Sequence, residues 1–380
     1  LLSLLIALLM FPQIAQTLYS PALADFSRTF SVAPAIASQA LTVYFLAFAL
    51  GVVVWGRVSD LMGRRPALGG GLVLYAAASA AALFVDTFYG LLVTQAFAAF
   101  GAAVGSVVTQ TILRDRYSGE ALAKVFATAG MVLAAGPAIG LFTGAAVVGH
   151  YGYKGAMLCL ASLSLALLGW AAARLRETRP AMLASASLPA TAGKMIRDAA
   201  IWRSALLVAV FNVALYSYYA LGPFVFERLH LSVKAYGYSG FLLAAGSCAG
   251  AWLNRRLLRR GYAGRQLVAA MSILVLAGGI GLRFMQDTAY LLLPVLLIVL
   301  AFGVAIPNIL GESLSAYKDR LGTAGALFGL LYYLMIGAGM LLVGWTQALA
   351  GSVLACGLVA VGASFAQCME PRTRNIEPVP

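Results

Sequence analysis

Long uncharged stretches alternate with short clusters of charge along this chain. The stretches run 1–24, 29–56, 66–85, 87–113, 125–153, 155–173, 204–226, 235–254, 266–282, 288–311 and 321–369. A helix that crosses a bilayer needs roughly 20 apolar residues. Each of the first ten stretches predicts one such helix, and the last is long enough for two around a Gly344–Gly351 turn. The expectation is an all-α integral membrane protein with twelve spans. A β-barrel is disfavoured because its strands would be ~10 residues of alternating character, and no alternation is present.

Composition agrees: 62% of residues are hydrophobic and 10% charged, with mean hydropathy +0.90. A water-facing domain carries about 25% charged residues, so lipid must be the solvent for most of this chain. The net charge of +13 does not point to nucleic acid once it is laid on the topology. With both termini inside, 21 of the 26 basic residues fall on the cytoplasmic side, the bias expected of loops that stay inside. A bacterial inner membrane is the expected location. Residue 1 already lies in an apolar run, so a start further upstream is expected.

The polar segment Arg174 to Arg203 divides the spans six and six. We read residues 1–174 and 201–369 as two helical halves, 175–200 as a cytoplasmic linker and 370–380 as a cytoplasmic tail. An echo supports the duplication: Ala99-Phe100-Gly101 recurs as Ala301-Phe302-Gly303 at an offset of 202 residues, with Phe126 against Phe328 and Arg116 against Lys318. Paired halves of this kind are common among secondary carriers. Cys159, Cys248, Cys356 and Cys368 have neither disulfide nor zinc spacing, and the two histidines, His150 and His230, fall in separate loops. No metal or other cofactor is expected. The phosphate-binding GxxxxGK[ST] pattern is absent, as are HExxH and nucleophile-elbow motifs, so neither ATP drive nor an enzyme is expected.

The most specific motif lies between the second and third stretches: Gly56-Arg57-Val58-Ser59-Asp60-Leu61-Met62-Gly63-Arg64-Arg65-Pro66. Glycines allow a tight turn between helices, and an acid there can pair with the arginines. The segment resembles the GxxxDxxGRR signature of the major facilitator superfamily. That resemblance implies a switching charge cluster of Asp60, Arg64 and Asp115, the last within Arg114-Asp115-Arg116, with Arg65 beside it. In the fifth stretch, Gly130 followed by Gly136-Pro137-Ala138-Ile139-Gly140 resembles the antiporter motif of drug exporters in that superfamily. Glycine and proline there permit close helix contact and a bend.

The resemblance runs over essentially the whole chain and is nearest to the Bcr/CflA-like drug:proton antiporters, whose YLPAL segment is similar to Tyr19-Ser20-Pro21-Ala22-Leu23. It implies efflux of a small organic molecule by one chain, acting as a monomer and coupled to protons. Two departures bear on coupling. Those relatives carry an aspartate where this chain has Thr17 and an arginine where it has Gln95.

A neutral polar set remains, read as a substrate cavity: Gln13, Gln16, Thr17, Tyr19, Tyr44, Gln95, Gln110, Asn212, Tyr216, Asn308 and Tyr332. Such groups would be costly against lipid, although hydrogen bonds between helices would also satisfy them. Glu227 and Glu312 are the candidate proton carriers, or else interfacial residues beside Arg228 and Lys318. Two other readings stay open: a carrier of a siderophore or its metal complex, in either direction, and a sensor or scaffold built on a transporter fold.

Overall fold

The computed structural model describes residues 1–119, 121–122, 125, 129, 135–179 and 188–369. Gly130 and the tail 370–380 lie outside the described residues, as does part of the linker. Twelve helical segments cross the molecule. The first four are α1 (Leu2–Tyr19), α2 (Gln39–Met62), α3 (Arg64–Ala81) and α4 (Phe88–Arg116). A 39-residue helix, Gly136–Arg174, is broken at Gly152, where φ is 63° and ψ is −166°. Its arms, 136–151 and 153–174, are α5 and α6. Then come α7 (Ala199–Arg228), α8 (Val233–Arg259), α9 (Gly264–Met285), α10 (Leu292–Ser313), α11 (Leu321–Thr346) and α12 (Leu349–Met369).

Ten helices among the described residues are long and apolar enough to span a bilayer, the broken one counted once. The remaining segment is α8, which carries Lys234, Asn254, Arg255 and Arg256 and is less apolar than the others. Helix starts are set by side-chain caps where the sequence supplies them. Thr87 accepts from Gly90 N ahead of α4, Asp198 from Ala200 N ahead of α7 and Ser232 from Ala235 N ahead of α8, satisfying orphan amides of the first turn.

Every major packed pair in the first half recurs six helices later. Helix α2 packs on α4, α3 on α4 and on α6, and α1 on α4 and α5; α8–α10, α9–α10, α9–α12, α7–α10 and α7–α11 repeat the plan. The echo noted above marks one of these crossings. A Cβ on Gly51 of α2 would meet the Phe100 carbonyl at 2.6 Å, and one on Gly250 of α8 would meet the Leu300 carbonyl at 2.6 Å. Gly101 lies as tightly on the Gly71 carbonyl. The halves join through two equivalent contacts, α2 with α11 and α5 with α8. Gly337 sits on Leu46 in the first, and Gly237 and Gly240 sit on Ala145 and Leu141 in the second.

The turns Met62–Arg64 and Arg259–Gly264 and the end of α4 share the end of the molecule where α1 begins and α12 ends; we term it the basic end. The linker helix Leu188–Ile196 lies there, with Lys194 5.0 Å from the Tyr317 ring centre. Because α3 and α4 touch backbone to backbone, Gly101→Val is expected to force them apart and cost about 1–3 kcal/mol. Thermal unfolding in detergent checks this; an unchanged midpoint would remove the contact from the list of fold determinants.

Candidate functional site

The charge cluster is assembled at the basic end around Arg64, which is only 2% exposed. Its Nε donates to Asp115 Oδ2 at 2.9 Å, and its Nη1 donates to Asp60 Oδ1 at 2.8 Å and to the Ser59 carbonyl at 2.9 Å. A buried guanidinium is tolerable only when its donors are met, and α2, α3 and α4 meet them together. The turn that aims Arg64 is made by Gly63, with φ 108°. Gly56 plays no part in that turn: it lies inside α2, where a Cβ would make ordinary contact with Val107. Arg65 donates from Nη2 to the Ala172 carbonyl at 2.9 Å, and Arg114 projects as an exposed side chain of α4.

Glu177, which no motif singles out, completes the cluster. Its Oε1 accepts from the Arg64 amide at 2.8 Å and its Oε2 from the Arg65 amide at 3.1 Å. The amides of Thr178 and Arg179 also donate to Oε1, each at 2.9 Å. A Cβ on Gly63 would come within 2.6 Å of this carboxylate. Burial pushes the Glu177 carboxyl up, but the four amides outweigh it and hold the group below its ordinary range. Asp60 and Asp115 belong to the first half, and Glu177 to the start of the linker. Several hydrogen bonds between the halves lie toward the opposite end: Ser20 to Tyr219 O and Tyr236, Arg28 to Glu227, Gln39 to Leu341 O, and Gln347 to Ser38.

Described residues 121, 122, 125 and 129 are helical, Ala135 is a turn, and the helix Gly136–Arg174 follows with Pro137 beside that turn. Gly136, Gly140 and Gly144 form a stripe that admits Gln13, Thr17 and Leu18 of α1. Thr17 is thereby buried between α1 and α5, its hydroxyl donating to the Gln13 carbonyl at 2.8 Å.

The neutral polar residues separate into two groups. Gln95 is buried inside the first half with its amide 3.2 Å from Met157 Sδ, and Asn308 donates to Asn254 Oδ1 at 2.7 Å inside the second half. Tyr19 is buried against Phe26, with ring centres 4.9 Å apart. These three serve contacts within a half. The other group meets between halves, where aromatic rings dominate. Tyr44 stacks on Phe48 at 5.8 Å, Phe45 meets Tyr216 at 4.7 Å and Phe48 meets Tyr333 at 4.9 Å. Tyr332 touches Tyr333 at 4.5 Å. Tyr44 is anchored by donating to the Pro12 carbonyl at 3.0 Å.

Gln13, Gln110, Asn212, Tyr216, Tyr332 and Tyr333 are half-buried. Gln16 Nε2, Thr42 Oγ1 and Thr109 Oγ1 are buried without a protein hydrogen-bond partner, an arrangement that is costly unless another molecule supplies the bond. Phe45 and Phe48 were not among the expected cavity residues, because one apolar helix face resembles another until its neighbours are known. Glu312 and Glu227 lie at opposite ends: Glu312 takes Arg265 at 2.7 Å, and Glu227 takes Arg28 at 3.3 Å.

The sequence profile of the Major Facilitator Superfamily matches residues 5–340. The chain belongs to that superfamily. A transporter of uncharacterized role from Rickettsia bellii is 28% identical over 88% of this chain and 87% of its own length. Multidrug resistance protein D of Escherichia coli is 27% identical over 47% of this chain and 46% of its own. Multidrug resistance protein MdtL of Klebsiella pneumoniae is 24% identical over 77% and 74%. In three dimensions the chain is similar to a crystal structure of a D-xylose–proton symporter, with TM-score 0.74 at 14% identity over 96% of both chains. It is also similar to an inward-facing bacterial homologue of the lysosomal transporter Spinster, with TM-score 0.75 at 14% identity over 96% of this chain and 94% of that one. This superfamily member is therefore a membrane transporter and not an enzyme.

Glu177→Gln tests the cluster. Because the folded carboxyl is held low, its contribution is present above the ordinary carboxylate range and is lost as pH falls through the lowered value. The substitution is expected to cost about 1 kcal/mol at neutral pH, discounted for exposure, and nothing at strongly acid pH. Equal losses at both pH values in thermal unfolding would contradict the amide-held carboxylate.

Proposed function

We propose that this chain exports a lipophilic, drug-like organic molecule, neutral or cationic, from the cytoplasm by alternating access. The observation that carries the reading is the aromatic cluster between the halves: Tyr44, Phe45 and Phe48 from the first, Tyr216, Tyr332 and Tyr333 from the second. Aromatic faces attract organic cations and planar groups, and the half-buried amides beside them can orient a polar substituent. The similarity to two multidrug resistance proteins supports the same class of cargo and the outward direction. The basic end is assigned to the cytoplasm of a bacterial inner membrane on its excess of arginine and lysine, and one chain suffices for the cycle.

The motif residues then have distinct tasks. Asp60, Arg64, Arg65, Arg114 and Asp115 latch the basic end when the cavity faces outward; in the present state, with hydrogen bonds between halves toward the outer end, the cluster stays within the first half. The stripe Gly136–Gly140, with Pro137 at the start of α5, lets α5 ride on α1. The cavity set comprises Gln13, Gln16, Gln110, Asn212, Tyr216 and Tyr332 together with the rings named above. Thr17, Tyr19, Gln95 and Asn308 shape that cavity from behind. Proton coupling in this scheme runs through carboxylates at the membrane surfaces, with Asp60, Glu227 and Glu312 as the candidates.

Tyr216→Leu is expected to weaken binding of a lipophilic cation roughly 2- to 30-fold while a neutral aromatic cargo is affected less. Binding to detergent-purified protein checks this, and equal affinity for both cargoes would remove the aromatic cluster from the site. Asp60→Asn should slow turnover in proteoliposomes with affinity retained; unchanged export would end the latch assignment. A substrate-induced proton signal in the same vesicles supports antiport. Export of a siderophore with no proton movement would overturn the reading in favour of a metabolite carrier.

A further inference from the structure

At the end away from the basic clusters, the first half contributes the short helix Ala22–Thr29 and the second half contributes the last turn of α7. Arg28 stands there between two carboxylates. Its Nη1 is 3.3 Å from Glu227 Oε1 in the second half, and its Nη2 is 3.7 Å from Asp25 Oδ1 on its own helix. Asp25 is itself fixed: its Oδ2 accepts from the Tyr153 amide at 2.6 Å, just after the left-handed Gly152 that breaks the α5–α6 helix. Asp25 therefore belongs rigidly to one half and Glu227 to the other. Arg28 is the long, flexible member with a partner on either side.

Beneath this pair the path is closed by hydrogen bonds. The Ser20 hydroxyl donates to the Tyr219 carbonyl and shares a hydrogen bond with the Tyr236 hydroxyl at 2.6 Å. A cleft of about 330 Å³ lies beside the ion pair, lined by Arg28 and Glu227 themselves and by Pro21, Ala24, Phe226 and His230 among others. One helical turn further in, Phe45 meets Tyr216.

We propose that Asp25, Arg28 and Glu227 form the lock of the outer gate. When the halves part, Arg28 gives up Glu227 and keeps Asp25, so the arginine is not left without a partner in the open state. Losing the Glu227 carboxylate removes the partner that holds the gate closed and leaves Asp25 as the remaining anion for Arg28, which favours opening. The other charged groups around Glu227 fit this assignment. Asp25 faces it only through Arg28, Arg228 is turned away to Asp287 at 3.0 Å, and Lys234 is exposed at the start of α8. His230 lines the same cleft. The assignment rests on the alternating-access reading, but its test requires no cargo.

The experiment places a cysteine under the seal, Phe45→Cys with the native cysteines replaced by alanine, and measures its labelling by a membrane-impermeant maleimide from outside. Rates are compared with and without Glu227→Gln in the same background, so the pH dependence of the thiol cancels. Both carboxylate and arginine are more than half exposed, so the pair shifts the gate by only a few fold. The ratio is expected to be about two to five. A ratio of one overturns the lock. The charge-swapped double variant Arg28→Glu, Glu227→Arg guards against a trivial structural effect: it should restore slow labelling, and continued fast labelling would overturn the pairing. Altered labelling, with the chain that keeps Phe45 exporting no drug, would count against the cargo assignment alone.

Discussion

In a bilayer, helices gain nothing from hiding apolar surface from one another, so close packing and satisfied polarity must hold them together. This constraint runs through the whole structure. Where α2 crosses α4, α3 crosses α4, α5 crosses α1 and α8 crosses α10, a glycine brings one backbone against the next. Where a charge is buried, as at Arg64, every described bond to it comes from the same half. Contacts within each half are therefore dense and strongly determined. Those between halves run along two seams, α2 with α11 and α5 with α8, joined by aromatic rings and by polar bonds toward one end.

The division between the legible and the hidden follows from the range of the interactions. Eleven uncharged stretches located the spans because a spanning helix is a local requirement. Even so, α8 was visible only as an uncharged run flanked by charge, and the α5–α6 boundary falls at Gly152, two residues before Lys154, the charge that separates the two stretches. The Ala-Phe-Gly echo was informative because glycine at a crossing serves a specific packing need. The partners of Arg64 could be anticipated from the resemblance, since motif residues travel together.

Glu177 could not be anticipated. Its role is set by four amides presented by a turn more than a hundred residues earlier and by its own loop, and nothing in a linker rich in charge distinguishes one glutamate from the next. The neutral polar residues were ambiguous for another reason. Asn212 bonds to the Val208 carbonyl and Thr17 to the Gln13 carbonyl, so each can satisfy itself on its own helix and be placed anywhere around it. Only the fold tells Tyr216, which faces the other half, from Gln95, which does not.

Among the described residues, charged side chains stand near the two ends of the helices and the middle of the molecule is neutral. Rocking the halves around such a middle carries no fixed charge of the protein through the electric field of the membrane. The voltage can then act only on the cargo and on any ion moved with it, at about 2.3 kcal/mol per elementary charge for each 100 mV. A neutral cargo would cross without electrical work, whereas a cation leaving an inside-negative cell would bear the full cost. The stoichiometry of the cycle thus becomes a property of the passenger rather than of the machine.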